Sequence, residues 1–379
     1  MANIYLSPNI TIPVALVTYG DGMRIARAAA LGPLVVQTPS SHYTTTDTLS
    51  LGGKMSVFSS FGPTPELGLS PAVSAPGGNI LSTYPRSMGS YISFSGTSMA
   101  TPYLAGAAAL LKQARPGLSA ADIRRLLVTS AKPRPDEATG LHASPYHSGG
   151  GLVSVYDAVQ ARALVDPPLL PINNTEAAQG GCPLALGLPD GARWAMRTLT
   201  ITNTDARRGL RVSLGHVPGV SLTMFDANGT FSSAVVAGKP MRAWPADRTP
   251  VAADTLPQVV PAQRELYIGA RAAKSLNVVI VAPYGLREAE RWFYGGFVAL
   301  ALQWDGEAAT SSLTVPYGGY NGDYRKLPVL GAPPLSPPQL LDGSRQPIAD
   351  VAGLTIAAGT NATLAVTLMM PTRILSATL

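Results

Sequence analysis

Hydrophobic and polar positions along the chain follow two different periods, and the change between them divides it. In residues 1–50, the apolar run IPVALVTYG predicts a strand. GMRIARAAALG has helical spacing and closes at Gly32-Pro33, and LVVQTPSSHYTTT is a second strand running into a polar loop. This strand–helix–strand scrap is too short to be a domain. From 51 to about 165 the pattern reads as α/β. KMSVFSSFGP predicts a short strand ending in a Gly-Pro turn, and AVSAPGGNILSTYP a strand leading into a Pro-Gly-Gly turn. After YISFSGT the alternation gives way to a period of about 3.6 residues. Met99, Tyr103, Ala107, Leu110 and Leu111 then fall on one face of a helix that Pro116-Gly117 stops. Ser119 with Asp122 is a capping-box pattern, opening a second helix with Ile123, Leu126 and Leu127 inward.

Beyond about 170 the helical period disappears. RTLTITNTD, LRVSLGHV, SLNVVIVAP and FVALALQW alternate between turn-rich loops, and Asp305-Gly306 marks a hairpin. Several short strands without helices predict a β-sandwich. After residue 330 the chain is Pro-rich and then briefly strand-like, in LTIAAGTNATLAVTLMM.

Composition narrows the class. Of 379 residues 46% are apolar, enough for a sizeable core, and only 13% are charged. The 38 Gly and 34 Pro exclude an all-helical protein. The formal charge of +6 is scattered, the longest basic runs being pairs such as Arg124-Arg125 and Arg207-Arg208. Nucleic acid would need a clustered stripe, so none is expected as a partner. Apolar stretches such as LAGAAALL fall far short of a membrane span, so no membrane partner is expected either. The single Cys182 excludes an internal disulfide and a cysteine-based metal site. MANIYLSPNITIP lacks a signal-peptide pattern, while sequons at Asn9, Asn173, Asn228 and Asn361 suit a secreted protein. That mismatch suggests a beginning that lies upstream of Met1. Nothing in the sequence sets an oligomeric state.

One stretch carries chemistry: SFSGTSMATPYLAG, residues 93–106. A serine hydroxyl is a poor nucleophile and needs a base, donors for the oxyanion and a rigid mount. A strand–turn–helix mount places Ser98 where unpaired N–H groups and the helix dipole favour negative charge. Gly96 permits the sharp turn and leaves room for a substrate backbone. Pro102 is expected in the first helical turn, where its missing N–H removes no bond. The other reading of Thr97 and Ser98 is that they simply cap the helix.

GTSMATP resembles the serine motif of the subtilisin-like serine proteases, the subtilases. The flanking order FSSFGP, SAPGGNILSTYP, YISFSGTSMATPYLAGAAALL, SAADIRRLLVTSAKP and GGGLVSVYDAV is similar to that family's. GLSPAVSAPG departs from it slightly, since the family usually has a lysine before the proline and a polar residue after it. The likeness is to large extracellular members with an inserted protease-associated domain and a following fibronectin-III-like (Fn3-like) sandwich. It implies four regions: 1–50, a remnant of that insert and a linker; 51–165, the C-terminal half of a catalytic domain; 166–330, the sandwich; and 331–379, a Pro-rich linker with a partial β segment. The implied fold class is α/β, an incomplete subtilisin-like parallel-sheet domain, followed by an all-β Fn3-like sandwich. The implied function is that of a serine endopeptidase acting on protein or peptide substrates, secreted in its parent, without metal or organic cofactor. Ser98 is the implied nucleophile, its own N–H half of the oxyanion hole, with Gly96 and Thr97 supporting the turn.

The family's aspartate and histidine strings, Asp-Thr-Gly or Asp-Ser-Gly and His-Gly-Thr-His, are missing from the chain. Asp21, His42 and Ser98 fall in the family's order, but order alone does not make a triad. His142, His147 and His216 are expected in loops or on the sandwich surface. The chain is therefore expected to carry the nucleophile yet be inactive alone. The alternative is a non-catalytic truncated subtilase whose sandwich is an interaction module. Translating the DNA upstream of Met1 separates the two. An esterase-type Gly-X-Ser-X-Gly elbow does not fit, because Met99 and Ala100 follow the serine.

Overall fold

A computed structural model describes residues 19–32, 52–64, 66–136, 138–172, 192–223, 242–246, 250–324, 339–341 and 363–365. The chain divides into two compact units, Met1–Gly52 and Gly53–Leu379. In the first, helix α1 spans Tyr19–Ala29 with Arg27 in its last turn, where a cation suits the dipole. Tyr19 and Gly20 thus open a helix and do not close a strand. The rest of IPVALVTYG, with LVVQTPSSHYTTT, lies outside the described residues.

The second unit opens with turns. Lys54–Pro63 forms no strand, contrary to the short strand expected of KMSVFSSFGP. The Ser59 N–H turns back to the Ser56 carbonyl at 2.9 Å, and Gly62 N–H donates to the Tyr146 carbonyl at 2.7 Å. Strands β1 (Ile80–Thr83) and β2 (Tyr91–Phe94) make an antiparallel hairpin. Helices α2 (Thr97–Ala114), α3 (Ala120–Thr129), α4 (Pro145–Ser148) and α5 (Val155–Gln160) follow. The capping box on α3 is complete: Asp122 N–H donates to Ser119 Oγ at 3.1 Å, and Ser119 N–H to the Asp122 carboxylate at 3.3 Å. Ala107 and Leu111 of α2, Leu126 and Leu127 of α3 and Ala158 of α5 close around one small core. Within 52–162, parallel pairing is limited to the bridge Ser74↔Leu152 among the described residues. A parallel strand needs a neighbour delivered by a crossover, and the hairpin supplies only an antiparallel one.

Two larger sheets build the rest. One has the order β3 (Ala163–Asp166), β5 (Trp194–Asn203), β11 (Ala273–Val281), β9 (Gln258–Pro261). The other runs β10 (Glu265–Ile268), β6 (Leu210–Pro218), β12 (Phe293–Trp304), β13 (Ser311–Tyr320), β4 (Leu170–Ile172). Short strands β7 (Ser221–Thr223) and β8 (Arg242–Trp244) extend the second sheet beside β12. A further pair, β14 (Gln339–Leu341) with β15 (Thr363–Ala365), is antiparallel. The two large sheets share one apolar core, with Leu199, Ile201, Val278 and Ile280 from the first facing Val212, Val298, Leu300 and Leu302 from the second. The expected Asp305-Gly306 connection does join β12 to β13, with Gly306 at φ +77°.

Strand β12 serves both of its faces. Tyr294, Val298, Leu300 and Leu302 point into the sandwich, while Phe293 packs with Tyr146, Leu67, Leu69 and Tyr320 on the opposite side. That second cluster joins the helical segment to the sandwich. Glycines in the strands make the fit possible. A Cβ at Gly318 would lie 2.8 Å from the Tyr146 ring, and one at Gly295 would lie 3.0 Å from Pro145 Cδ.

Candidate active site

Ser98 sits at the start of α2, two residues after the helix's N-cap, Gly96, whose backbone is extended. Strand β2 ends at Phe94, the chain turns through Ser95 and Gly96, and an 18-residue helix begins. The turn is braced from one side. Gly96 N–H donates to the Gly77 carbonyl at 2.8 Å, and Asn79 N–H donates to Ser95 Oγ at 2.8 Å. Gly77 has no room for a side chain, since a Cβ there would lie 2.8 Å from the Gly96 carbonyl oxygen and 3.2 Å from Ala100 Cβ.

The Ser98 side chain is exposed at the helix tip, and its hydroxyl has no hydrogen bond to a described residue. The N-cap position itself is Gly96, and the Ser98 hydroxyl makes no capping bond to a described residue. Backbone N–H groups in a first helical turn have no intrahelical acceptor, so the Ser98 amide is an available donor next to its own hydroxyl. No acidic residue occupies that turn to compete for the positive end of the dipole. Thr97 contributes its carbonyl, which accepts from Thr101 Oγ1 at 3.0 Å. Pro102 lies beyond the first turn, contrary to expectation. Its missing N–H is the one that would reach the Ser98 carbonyl, so the helix ladder is interrupted directly behind the serine.

The face of α2 also differs from expectation. Ala107 and Leu111 are buried, but Tyr103 is 47% and Leu110 56% exposed. The helix is apolar on both sides, and only one side is covered among the described residues.

Among the described residues, no imidazole bonds to Ser98. His147 stacks on Phe61 with centroids 3.8 Å apart. Desolvation lowers it to about 4, opposed by a hydrogen bond to the Ser59 backbone. His216 lies on β6 and is half-buried: its Nε2 lies 2.7 Å from the Tyr317 hydroxyl, and desolvation lowers it to about 4. His142 packs edge-on to Phe297 and is lowered by desolvation as well. The backbone of Asp21 belongs to α1 in the other unit, while His42 and Cys182 lie outside the described residues. Among the described residues, no three His, Cys, Asp or Glu side chains gather to hold a metal ion. Sequence reasoning missed Gly77 as the brace of the serine turn. Its signal was present in APGG, a glycine pair before a strand with nothing yet to approach.

Comparison with known proteins bears on this same stretch. The Subtilase family model matches residues 28–151. The chain is 32% identical over 166 residues to the minor extracellular protease Vpr of Bacillus subtilis (strain 168), covering 42% of this chain and 20% of that protein. It is 38% identical over 124 residues to a PII-type proteinase of Lactococcus lactis subsp. cremoris, covering 28% of this chain and 6% of that protein. Bacillopeptidase F of B. subtilis is 37% identical over 134 residues, with 34% and 9% covered. The chain thus spans 20% or less of the length of these three relatives. Among solved structures, the PapD-like domain of human CEP192 aligns over 42% of this chain and 83% of that chain, at 11% identity and a TM-score of 0.26, too low to bear on the fold. The serine turn lies inside the matched segment, so residues 28–151 are similar to the subtilases, the subtilisin-like serine proteases.

Proposed function

We propose that Ser98 is the nucleophile of a serine endopeptidase and that this chain, on its own, presents the nucleophile without its base. The observation that supports this most directly is an exposed serine hydroxyl at the tip of a long helix, bonded to none of the described residues and beside an amide in the first helical turn. In the reaction, Ser98 Oγ attacks the peptide carbonyl carbon while a base takes its proton. Negative charge on the carbonyl oxygen is met by the Ser98 N–H and the helix dipole. The C–N bond breaks, the amine leaves with the proton, and water then hydrolyses the acyl ester. Gly96 and Thr97 shape the turn that sets the angle of attack. Nothing in that sequence of steps calls for a metal or organic cofactor.

The base is the weak point. No described histidine or carboxylate bonds to Ser98, and the family's histidine and aspartate strings are absent. General-base assistance is worth about 10²–10⁴ in rate, so the chain is expected to be silent without it. The substrates are proteins or peptides, in line with the proteases it resembles. Likeness to an extracellular protease supports secretion of the whole protein. We further assign residues 166–330 to an Fn3-like sandwich and residues 51–165 to the C-terminal half of the catalytic domain.

The test is direct. Purified protein of residues 1–379 is expected neither to hydrolyse casein nor to be labelled at Ser98 by a fluorophosphonate at pH 7–8. Stoichiometric labelling that disappears in Ser98→Ala would mean that a base is already in place, and the proposal of a base-free site would fail.

A further inference from the structure

The serine turn is tied to a distant part of the molecule through a short chain of contacts. Gly77, which accepts the Gly96 N–H, ends the segment Ala72–Gly77. That segment is held by residues 148–153. Gly150 N–H donates to the Ala72 carbonyl at 2.9 Å, Ser74 N–H to the Gly151 carbonyl at 2.9 Å, and Val153 N–H to the Ser74 carbonyl at 2.8 Å. The Ser74 hydroxyl adds a bond to the Ser148 carbonyl at 2.9 Å. The approach is so close that a Cβ at Gly149 would fall 2.3 Å from the Ala72 carbonyl carbon, and the left-handed φ of +58° also favours glycine there.

Residues 148–153 follow directly on α4, and α4 is fixed by the sandwich. The Tyr146 ring is fully buried, edge-on to Phe293 at 5.7 Å, and occupies the notch left by Gly318. Its hydroxyl has no partner, so its contribution is the shape of the ring. Close-packed interiors transmit displacement rather than absorb it. A chain of packed and hydrogen-bonded elements is the physical form such coupling takes.

We infer that Tyr146 is a positioning residue for Ser98: its ring, seated in the Gly318 notch of the sandwich, fixes α4, which fixes Ala72–Gly77, which fixes the turn presenting the serine. The inference depends on the proposed role of Ser98 for its catalytic meaning, and on packing alone for its mechanics. A shift of about 1 Å in a nucleophile can cost 10²-fold in rate, so the seat of this ring matters to chemistry at the other end.

Hydrogen exchange followed by mass spectrometry on the whole chain tests it. Tyr146→Ala is expected to raise exchange about tenfold in peptides covering 72–78 and 94–99, with β11 in the sandwich unchanged. Tyr146→Phe is expected to keep wild-type protection, because it removes only an unpartnered hydroxyl. Unchanged exchange at 94–99 in Tyr146→Ala, an equal rise in β11, or a Phe variant that behaves like Ala would each overturn the inference. If Tyr146→Ala does not fold, Ser74→Ala keeps the ring and removes one link. It must raise exchange at 94–99, and unaltered protection there overturns the inference. Fluorophosphonate labelling does not enter these readouts, so the two proposals fail separately.

Discussion

At the scale of single residues, the site depends on how little space surrounds the serine turn. Gly77 is close enough to the Gly96 carbonyl that any side chain forces the backbone apart. Gly77→Ala is therefore expected to break the Gly96–Gly77 hydrogen bond and to cost about 1–3 kcal/mol, by analogy with over-packing in a close-packed region. Urea unfolding of the variant checks the cost, and a midpoint within error of wild type would contradict it. The strand–turn–helix mount of Ser98 was legible in the sequence, because the glycine turn and the helix behind it are encoded within a few residues. Gly77 was not, since its reason is a contact with a residue 19 positions on, and local pattern carries no distances. Pro102 was misplaced for a related reason. Without the exact start of α2, the sequence could not say which carbonyl loses its donor.

At the scale of elements, local chemistry was the better guide. Ser119 and Asp122 lie three apart in sequence and make both bonds of the capping box, so that start could be read directly. The alternating runs that became β5, β6, β11 and β12 were legible because each has one face in a shared core. KMSVFSSFGP reads as a short strand too, yet it forms turns, its Ser59 N–H donating to the Ser56 carbonyl and its Gly62 N–H to the Tyr146 carbonyl instead of to a neighbouring strand. Helix α2 was assigned a single inward face, but Tyr103 and Leu110 lie on its open side. Periodicity identifies apolar positions; it does not say which of them a neighbour covers.

At the scale of the whole molecule, the helical segment and the sandwich share a buried cluster, and the glycines of FYGGF and VPYGGY are cut to receive Pro145 and Tyr146. Sequence alone gave no hint of this, because those glycines read as turn or strand-breaking residues until their partner is known. The same packing sets a pH dependence. Burial holds His147 and His216 at about 4, so both stay neutral in the folded protein while the unfolded chain takes up its protons near pH 6.5. Stability is then full above about pH 6.5, falls as the pH drops from there to about 4, and levels off below. After allowance for partial exposure, each histidine accounts for ~1–3 kcal/mol of that loss. The double variant His147→Gln, His216→Gln should lose less stability than wild type between pH 7 and pH 4.5 in urea titrations, and an equal loss would contradict the assignment. The most direct measurement of all concerns the hydroxyl at the tip of α2. Added imidazole can stand in for a missing base, at the cost of a bimolecular encounter. Whole chain incubated with a fluorophosphonate and high imidazole should gain label at Ser98 in preference to other exposed serines such as Ser87, and Ser98→Ala should lose it. Label spread evenly over surface serines, or label at Ser98 that does not depend on imidazole, would contradict a nucleophile waiting for its base.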